Sequence, residues 1–355
     1  EIAFHHEDFR IEIYKELDNY NSAHAETWSE QVAHATRDLM GCDPTDLPHD
    51  LPVHVISSNT HSVTNCLSAW LARHGDDILS WARDTGHPLT EERWQNANDL
   101  VYVLARDYLE ARPELREAKA RAEREAGILP LDGTAFTGIG VQLIDTANLA
   151  PGTVDPGIGV TAPAQPSLIL NIDYAFGQQA EHIIANIISL FGRNLSSVSV
   201  LGKAGGLVGD RGDVFVATGF VEQSGDHYHP LPGDSAVDMD RLAALLPDRD
   251  IREGNALTVT GTLLQNRKML QFNRHIWGCV GLEMEGSYYL RQILKSMNRG
   301  TIGRDVSLRF LYYVSDLPLR HDSSLSARLQ AVEGVPPLYA ITREVLSGIL
   351  GADAH

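Results

Sequence analysis

LILNIDYAFGQQAEHIIANIISLFGRNLSSVSVL, residues 168–201, carries two periodicities in succession. Leu168–Ile172 is a short, mostly apolar run of the length of a buried strand. Ala180, Ile183, Ile184, Ile187, Ile188 and Phe191 then recur at three- and four-residue spacing, the signature of one helix face. Ser197–Leu201 returns to a strand-length run. Strand, helix and strand in sequence read as one unit of a layered α/β domain.

The same alternation extends both ways. Downstream, Asp213–Thr218, Leu257–Thr260, Ile276–Val280 and Leu308–Val314 read as strands. Tyr289, Leu290, Ile293, Leu294 and Met297 form a helix stripe, and Leu338, Ile341, Val345 and Ile349 form a closing one. Upstream, Leu51–Ile56 (LPVHVI) is a strand, Ser57–Ser62 (SSNTHS) a polar loop, and Val63, Leu67, Trp70 and Leu71 a helix. Residues 1–50 are polar and helical in pattern. Residues 75–128 are helical too, and the run ELREAKARAERE reads as a solvated face. Leu129–Pro166 is rich in Gly, Pro and Thr, with one strand at Val141–Asp145.

The 355 residues suffice for one large domain or two modest ones, with a sizeable core. A formal net charge of −18 repels phosphate backbones and anionic membranes, so neither nucleic acid nor membrane is an expected partner. A small anionic ligand stays compatible, because one local cation outweighs a distant net charge. The three cysteines, Cys42, Cys66 and Cys279, are far apart and form no CxxC pair. They read as reduced thiols of a cytoplasmic protein. No apolar run has transmembrane length, and the opening EIAFHHEDFR lacks the basic-then-apolar pattern of a signal peptide.

Three stretches carry candidate chemistry. GKAGGLVGDRGDV, from Gly202 to Val214, follows a strand, where glycines admit close backbone approach to a ligand or simply make a turn. It is neither a phosphate-binding P-loop nor a GxGxxG fingerprint. In LEMEG, Leu282–Gly286, Glu283 and Glu285 lie two apart, so in an extended segment they face one side. Such carboxylates suit a vicinal diol such as that of ribose, or else the dipole of a helix start. In YYVSDLP, Tyr312–Pro318, an apolar strand delivers Ser315 and Asp316 at its carboxyl end, where open α/β sheets place ligands. Asp316 there is a helix cap or an acid/base group. His227, Tyr228 and His229 hold two histidines without a third ligand at a usual spacing, and no metal is expected.

In this order, AGGL and GDV, EME, then SD, the stretches resemble the nucleoside phosphorylase/nucleosidase superfamily. The likeness is to methylthioadenosine/S-adenosylhomocysteine nucleosidases and purine nucleoside phosphorylases, and it spans roughly residues 197–318. The resemblance implies a three-layer α/β fold with a central mixed β-sheet flanked by helices. Residues 1–50 become a helical extension, and 51–355 the α/β domain, with a helical insertion at about 72–135. It implies that Gly202, Lys203, Ala204 and Gly205 line the site near an attacking water or phosphate. Met284 and Glu285 hold the ribose, with Glu283 adjacent. Asp316, beside Ser315, protonates a purine at N7. The loop after Val53–Ile56 sits at the pocket, with Asn59 and His61 the nearest candidates for activating water. A turn at Gly177 precedes the next helix. By position, Leu264, Gln265, Asn266 and Arg267 select the base.

Departures accompany the matches. Lys203 stands where the superfamily has Ser or Thr, and it suits a phosphate or a structural ion pair. The arginine that many phosphorylases place just before the first glycine is absent, since Val200 and Leu201 stand there. No GDPxR-type turn is visible. Hydrolysis is therefore expected over phosphorolysis. No cofactor is implied, and phosphate enters only as a co-substrate of phosphorolysis. Breaking an N-glycosidic bond puts positive charge on the sugar and negative charge on the base, so an anion at the ribose (Glu285) and a proton donor at the base (Asp316) both help. Three alternatives stay open: a non-catalytic nucleoside or nucleotide sensor, an enzyme whose Lys203 grips a nucleotide phosphate, and a biosynthetic enzyme on a modified nucleoside. The expected partner is a small nucleoside or nucleotide, in a cytoplasmic homo-oligomer.

Overall fold

The computed structural model describes residues 22–131, 138–224, 227–261, 266–320 and 329–351. Among them lie ten strands: β1 (Val53–Ser57), β2 (Ile128–Pro130), β3 (Val141–Asp145), β4 (Leu168–Ile172), β5 (Leu195–Gly206), β6 (Val214–Glu222), β7 (Tyr228–Pro230), β8 (Ile251–Thr258), β9 (Cys279–Glu283) and β10 (Ser307–Asp316). The helices are α1 (Ser22–Met40), α2 (Thr60–Leu67), α3 (Ala69–Asp84), α4 (Ala97–Ala111), α5 (Arg116–Glu125), α6 (Gln178–Phe191), α7 (Met239–Leu245), α8 (Arg267–Ile276), α9 (Gly286–Asn298) and α10 (Ala331–Leu350).

One mixed sheet runs β2–β3–β4–β1–β5 and then closes on itself. β1 is parallel to both β4 and β5, and β10 is parallel to β5. From β10 the ring continues through β6 and β8 to β9, which returns to β5 at Gly205–Leu282. β5, at 12 residues, belongs to both the open sheet and the ring. Closure gives each ring strand a partner on either side and leaves no free edge there.

Aromatic side chains pack against glycines at the ring. Phe215, Phe220, Phe310 and Tyr312 are buried, with Phe215–Tyr312 centroids 5.2 Å apart and Phe220–Phe310 centroids 4.9 Å apart. A Cβ on Gly281 would collide with the Phe215 ring, and one on Gly286 with Phe220. Large aromatic rings thus lie close against bare backbone at these two glycines.

Helices cover both faces of the sheet. On one, the stripe Ala180, Ile183, Ile184, Ile187, Ile188 and Phe191 of α6 is buried, as its spacing predicts, beside Tyr289, Leu290 and Ile293 of α9. Burying each large aliphatic of this stripe contributes about 1.5–3 kcal/mol. α1 packs on α6 and sinks Trp28 and Val32 into the same core. On the other face, α2, α3, α4 and α10 form a second core with Leu67, Trp70, Leu104 and Ile341. This is the three-layer α/β architecture with a central mixed sheet. α5 carries the charged run and buries no residue fully.

Arg343 joins this second layer from within. Its guanidinium bonds Asp155 Oδ2 at 2.8 Å and Asp99 Oδ1 at 2.6 Å, and Tyr102 donates to Asp155 at 2.7 Å. Three of these residues, Arg343, Asp99 and Asp155, are at most 3% exposed, so the paired charges hold α10, α4 and the segment at 155 in register.

Three local expectations are corrected. Ile276 ends α8 instead of opening a strand, and β9 begins at Cys279. The glycines from Gly202 to Gly206 continue β5 instead of forming a loop, because β9 and β10 pair with them. β2 and β7, three residues each, add pairing that the periodicity does not announce. No helix among the described residues is long and apolar enough to cross a membrane. Cys66 and Cys279 are buried free thiols, and Cys42 is a half-buried one.

Candidate active site

Parallel pairing brings the carboxyl ends of β1, β5 and β10 to one pole. The three stretches singled out in the sequence meet there. β10 keeps register with β5 through Val314↔Ala204, then bulges, and Asp316 falls opposite Gly205. The bulged Ser315 donates from Oγ to Ala204 O at 3.2 Å and to Asp316 Oδ1 at 2.8 Å. One serine thus ties the acid to the glycine strand. Asp316 Oδ2 lies 3.2 Å from the place a Cβ would take on Gly205. Glu285 Oε1 lies 3.4 Å from that place on Gly202. The two acids therefore approach β5 at glycines three residues apart, roughly 10 Å along the strand, where successive side-chain directions alternate between its faces.

The two glutamates do not share an extended segment. Glu283 ends β9, whereas Glu285 is the residue before α9, with φ −135° and ψ −26°. Glu283 Oε2 accepts from the backbone N–H groups of Glu285 (2.7 Å) and Gly286 (2.5 Å). Its Oε1 accepts from Thr258, and Tyr312 OH donates to Oε2 at 3.5 Å. It is the dipole partner of the α9 start. Glu285 Oε2 accepts from Met284 N at 3.1 Å. Burial first, and the neighbouring Glu283 charge second, push the Glu285 carboxyl well above the usual range. Burial thus disfavours the ionised form of Glu285.

Other groups reach the same place. Met284 O accepts from Gly177 N at 3.0 Å, which fastens the α6 entry to the EME segment. Gly177 has φ 55° and ψ −133°, a conformation open to glycine. Tyr174 hydrogen-bonds Asn59 and neighbours Tyr313 and Glu285; burial, then Tyr313, raises its pKa. Asn59 Oδ1 also caps α2 through Ser62 N at 2.7 Å. Tyr289 OH bonds Ser57 Oγ at 3.0 Å, linking α9 to the end of β1. Tyr174 had no motif to announce it; Tyr289 stood in a helix stripe and Tyr312 opened the YYVSDLP stretch, but their place beside Ser57 and Gly202 is visible only once the strands pair.

The remaining sequence candidates are placed as follows. Lys203 is exposed on β5, opposite Tyr313. His61 is exposed in the first turn of α2, and no described bond ties it to Glu285 or Asp316. Leu264 and Gln265 lie outside the described residues. Asn266 caps α8 through Lys268 N at 2.9 Å, and Arg267 Nη2 donates to Arg320 O at 2.8 Å. His229 sits 3.2 Å from Glu222, which Arg291 also grips at 2.8 Å, an ion-pair cluster at β7. No trio of His, Cys, Asp or Glu among the described residues converges as a metal site.

A family model described as a family of unknown function, DUF6909, matches residues 1–351. The chain belongs to the DUF6909 family. No curated protein matches it. Several solved structures are similar to this DUF6909 chain at low identity. A 5′-methylthioadenosine/S-adenosyl homocysteine nucleosidase from Campylobacter jejuni is 11% identical, with 83% of this chain and 97% of that one covered and a TM-score of 0.44. A purine nucleoside phosphorylase from Toxoplasma gondii, in complex with immucillin-H, is 12% identical, with 88% and 94% covered and a TM-score of 0.41. A uridine phosphorylase from Schistosoma mansoni, in complex with uracil, is 11% identical, with 88% and 91% covered and a TM-score of 0.46.

Proposed function

We propose that the carboxyl pole binds a purine nucleoside, or a related nucleoside or nucleotide, and hydrolyses its N-glycosidic bond. The observation that supports this reading is the approach of Glu285 to Gly202 and of Asp316 to Gly205 at the carboxyl end of β5. On this reading the ribose diol bonds Glu285, beside Met284. The base extends along the glycine backbone to Asp316, which donates a proton as negative charge develops on the ring. Diol binding and the positive charge growing on the sugar favour the carboxylate form of Glu285, whose proton passes to solvent, and the carboxylate stabilises that charge; water adds to the sugar carbon as the bond to the base breaks, and the proton it releases passes to solvent, from which Asp316 is reprotonated. Ser315 aims Asp316 and Glu283 fixes the backbone at Glu285; both are positioning residues.

A sensor of the same fold is the second reading. It is favoured by Asn59, whose side chain is already engaged by Ser62 and Tyr174, and by exposed His61, which leave water activation unassigned. Chromatographic detection of free base from a panel of purine nucleosides, nucleotides and thio-nucleosides, with and without phosphate, separates the readings. Release without phosphate is expected. Release only with phosphate means phosphorolysis and gives Lys203 a part. Binding without release means a sensor.

A further inference from the structure

β4 (LILNI) is buried throughout, and Asn171 is its one polar residue. A wholly buried amide costs stability unless its groups are bonded. β4 lies between β1 and β3, with Asn171 opposite Ile56 on one side and Gln142 on the other. Asn171 Nδ2 donates to Gln142 Oε1 at 2.8 Å and to Thr60 O at 3.3 Å. Its Oδ1 accepts from Ser58 Oγ at 3.1 Å. The side chain thus grips the loop after β1 at Ser58 and at Thr60, the two residues that flank Asn59.

That loop borders the candidate active site. Parallel pairing sets Ser57 against Val200, just before Gly202, where Glu285 Oε1 approaches β5. Tyr289 OH bonds Ser57 Oγ at 3.0 Å. Tyr174, close after Asn171 in the chain, hydrogen-bonds Asn59 and neighbours Glu285. Ser58 Oγ also lies 2.8 Å from Asn59 O, and Asn59 Oδ1 accepts from Ser62 N at 2.7 Å. Asn59 is therefore held from both sides, and one of its holders, Asn171, is too deeply buried to touch a ligand.

We infer that Asn171 is a positioning residue of the proposed reaction: by fixing Ser58 and Thr60 it sets Asn59 and Tyr174 beside Glu285, where water meets the sugar carbon. The inference rests on the glycosidic reading of that site. In the step it serves, the water oxygen bonds to the sugar carbon as the carbon–nitrogen bond breaks. The base leaves with the proton of Asp316, and the water proton passes to solvent. What the loop supplies is placement of the nucleophile, because a sugar carbon bearing positive charge gains from a nucleophile already in line.

Asn171→Leu removes the grip at nearly constant volume. Ser58 Oγ keeps its contact with Asn59 O, and Thr60 O and Gln142 Oε1 keep Thr64 Oγ1 at 3.0 and 2.7 Å, so each partner retains a contact. Ser58→Ala takes away the loop's half of the same bond. The full-length wild type and both variants are given a panel of purine nucleosides in buffer with a fixed share of methanol, which competes with water for the sugar carbon. Free base, ribose and methyl riboside are quantified. The ratio of the two sugar products reads how the nucleophile is placed and does not depend on the fraction of protein folded. Both variants are expected to lower kcat about tenfold or more, to leave KM near that of the wild type and to shift the product ratio. Should Asn171→Leu unfold, Ser58→Ala decides alone. A product ratio equal to that of the wild type in the folded variants, whatever the loss of rate, overturns the inference and leaves Asn171 a residue of stability only. No base release by the wild type overturns the glycosidic reading, and the inference with it.

Discussion

Glu283 Oε2 accepts the backbone N–H of Glu285 at 2.7 Å, so one buried glutamate sets the position of another. The pair divides its work: Glu283 takes backbone donors of the α9 start, and Glu285 faces Gly202.

That division predicts opposite phenotypes. Glu283→Gln leaves the N–H groups of Glu285 and Gly286 poorly satisfied and costs about 1–3 kcal/mol of stability. Glu285→Gln removes a carboxyl whose ionised form is disfavoured by burial, so stability at neutral pH is kept or rises, while base release falls. Urea unfolding paired with the release assay checks both. Equal destabilisation by the two substitutions would count against the division.

The pH dependence has two components of opposite sign. His54 has a folded pKa lowered to about 4 against about 6.5 unfolded, so its contribution is present above pH 6.5 and is lost as pH falls towards 4. That loss amounts to up to about 3 kcal/mol. Glu285 is raised, so its contribution is present below the unfolded value and declines as pH rises through the folded one. Unfolding free energies measured from pH 4 to 8 are expected to lose part of their acid fall in His54→Gln and part of their alkaline fall in Glu285→Gln. Superimposable curves for wild type and His54→Gln would reject the first component.

Arg343→Leu strands Asp99 and Asp155 as buried carboxylates without their cation. The expected cost is about 3–5 kcal/mol by chemical denaturation. Adding Asp99→Asn to Arg343→Leu restores part of it, because one uncompensated charge goes. No recovery in the double variant would mean the packing of Arg343, not its charge, holds α10.

Gly205→Val places a Cβ 3.2 Å from Asp316 Oδ2 and 3.1 Å from Leu282, with two methyl groups beyond it. Asp316 must move, and base release is expected to fall about 100-fold, as happens when a catalytic group is displaced by roughly an ångström. Steady-state kinetics should show the loss mainly in kcat. A change confined to KM would mean that Gly205 contacts substrate without placing Asp316.

The α6 stripe was legible because one face is wholly buried, which leaves a strict spacing in the sequence. The strand run into Gly202 was legible, but its continuation to Gly206 was not, since long-range pairing with β9 and β10 makes those glycines extended. Glu283 and Glu285 suggested a shared face because they are two apart; the helix starts between that reading and Gly286, so the period breaks at Glu285. Ile276 looked like strand for the same local reason, a β-branched residue near Cys279 and Val280. Tyr174 could not be found at all, as its bond to Asn59 spans more than a hundred residues.

Asp316 as proton donor is tested most directly by comparing wild type with Asp316→Asn for release of free base from purine nucleosides without phosphate. If Asp316 has that role, the wild type releases base and the variant loses about 100- to 10,000-fold, with binding retained. Equal release by the two proteins, or none from any nucleoside or nucleotide, would contradict it.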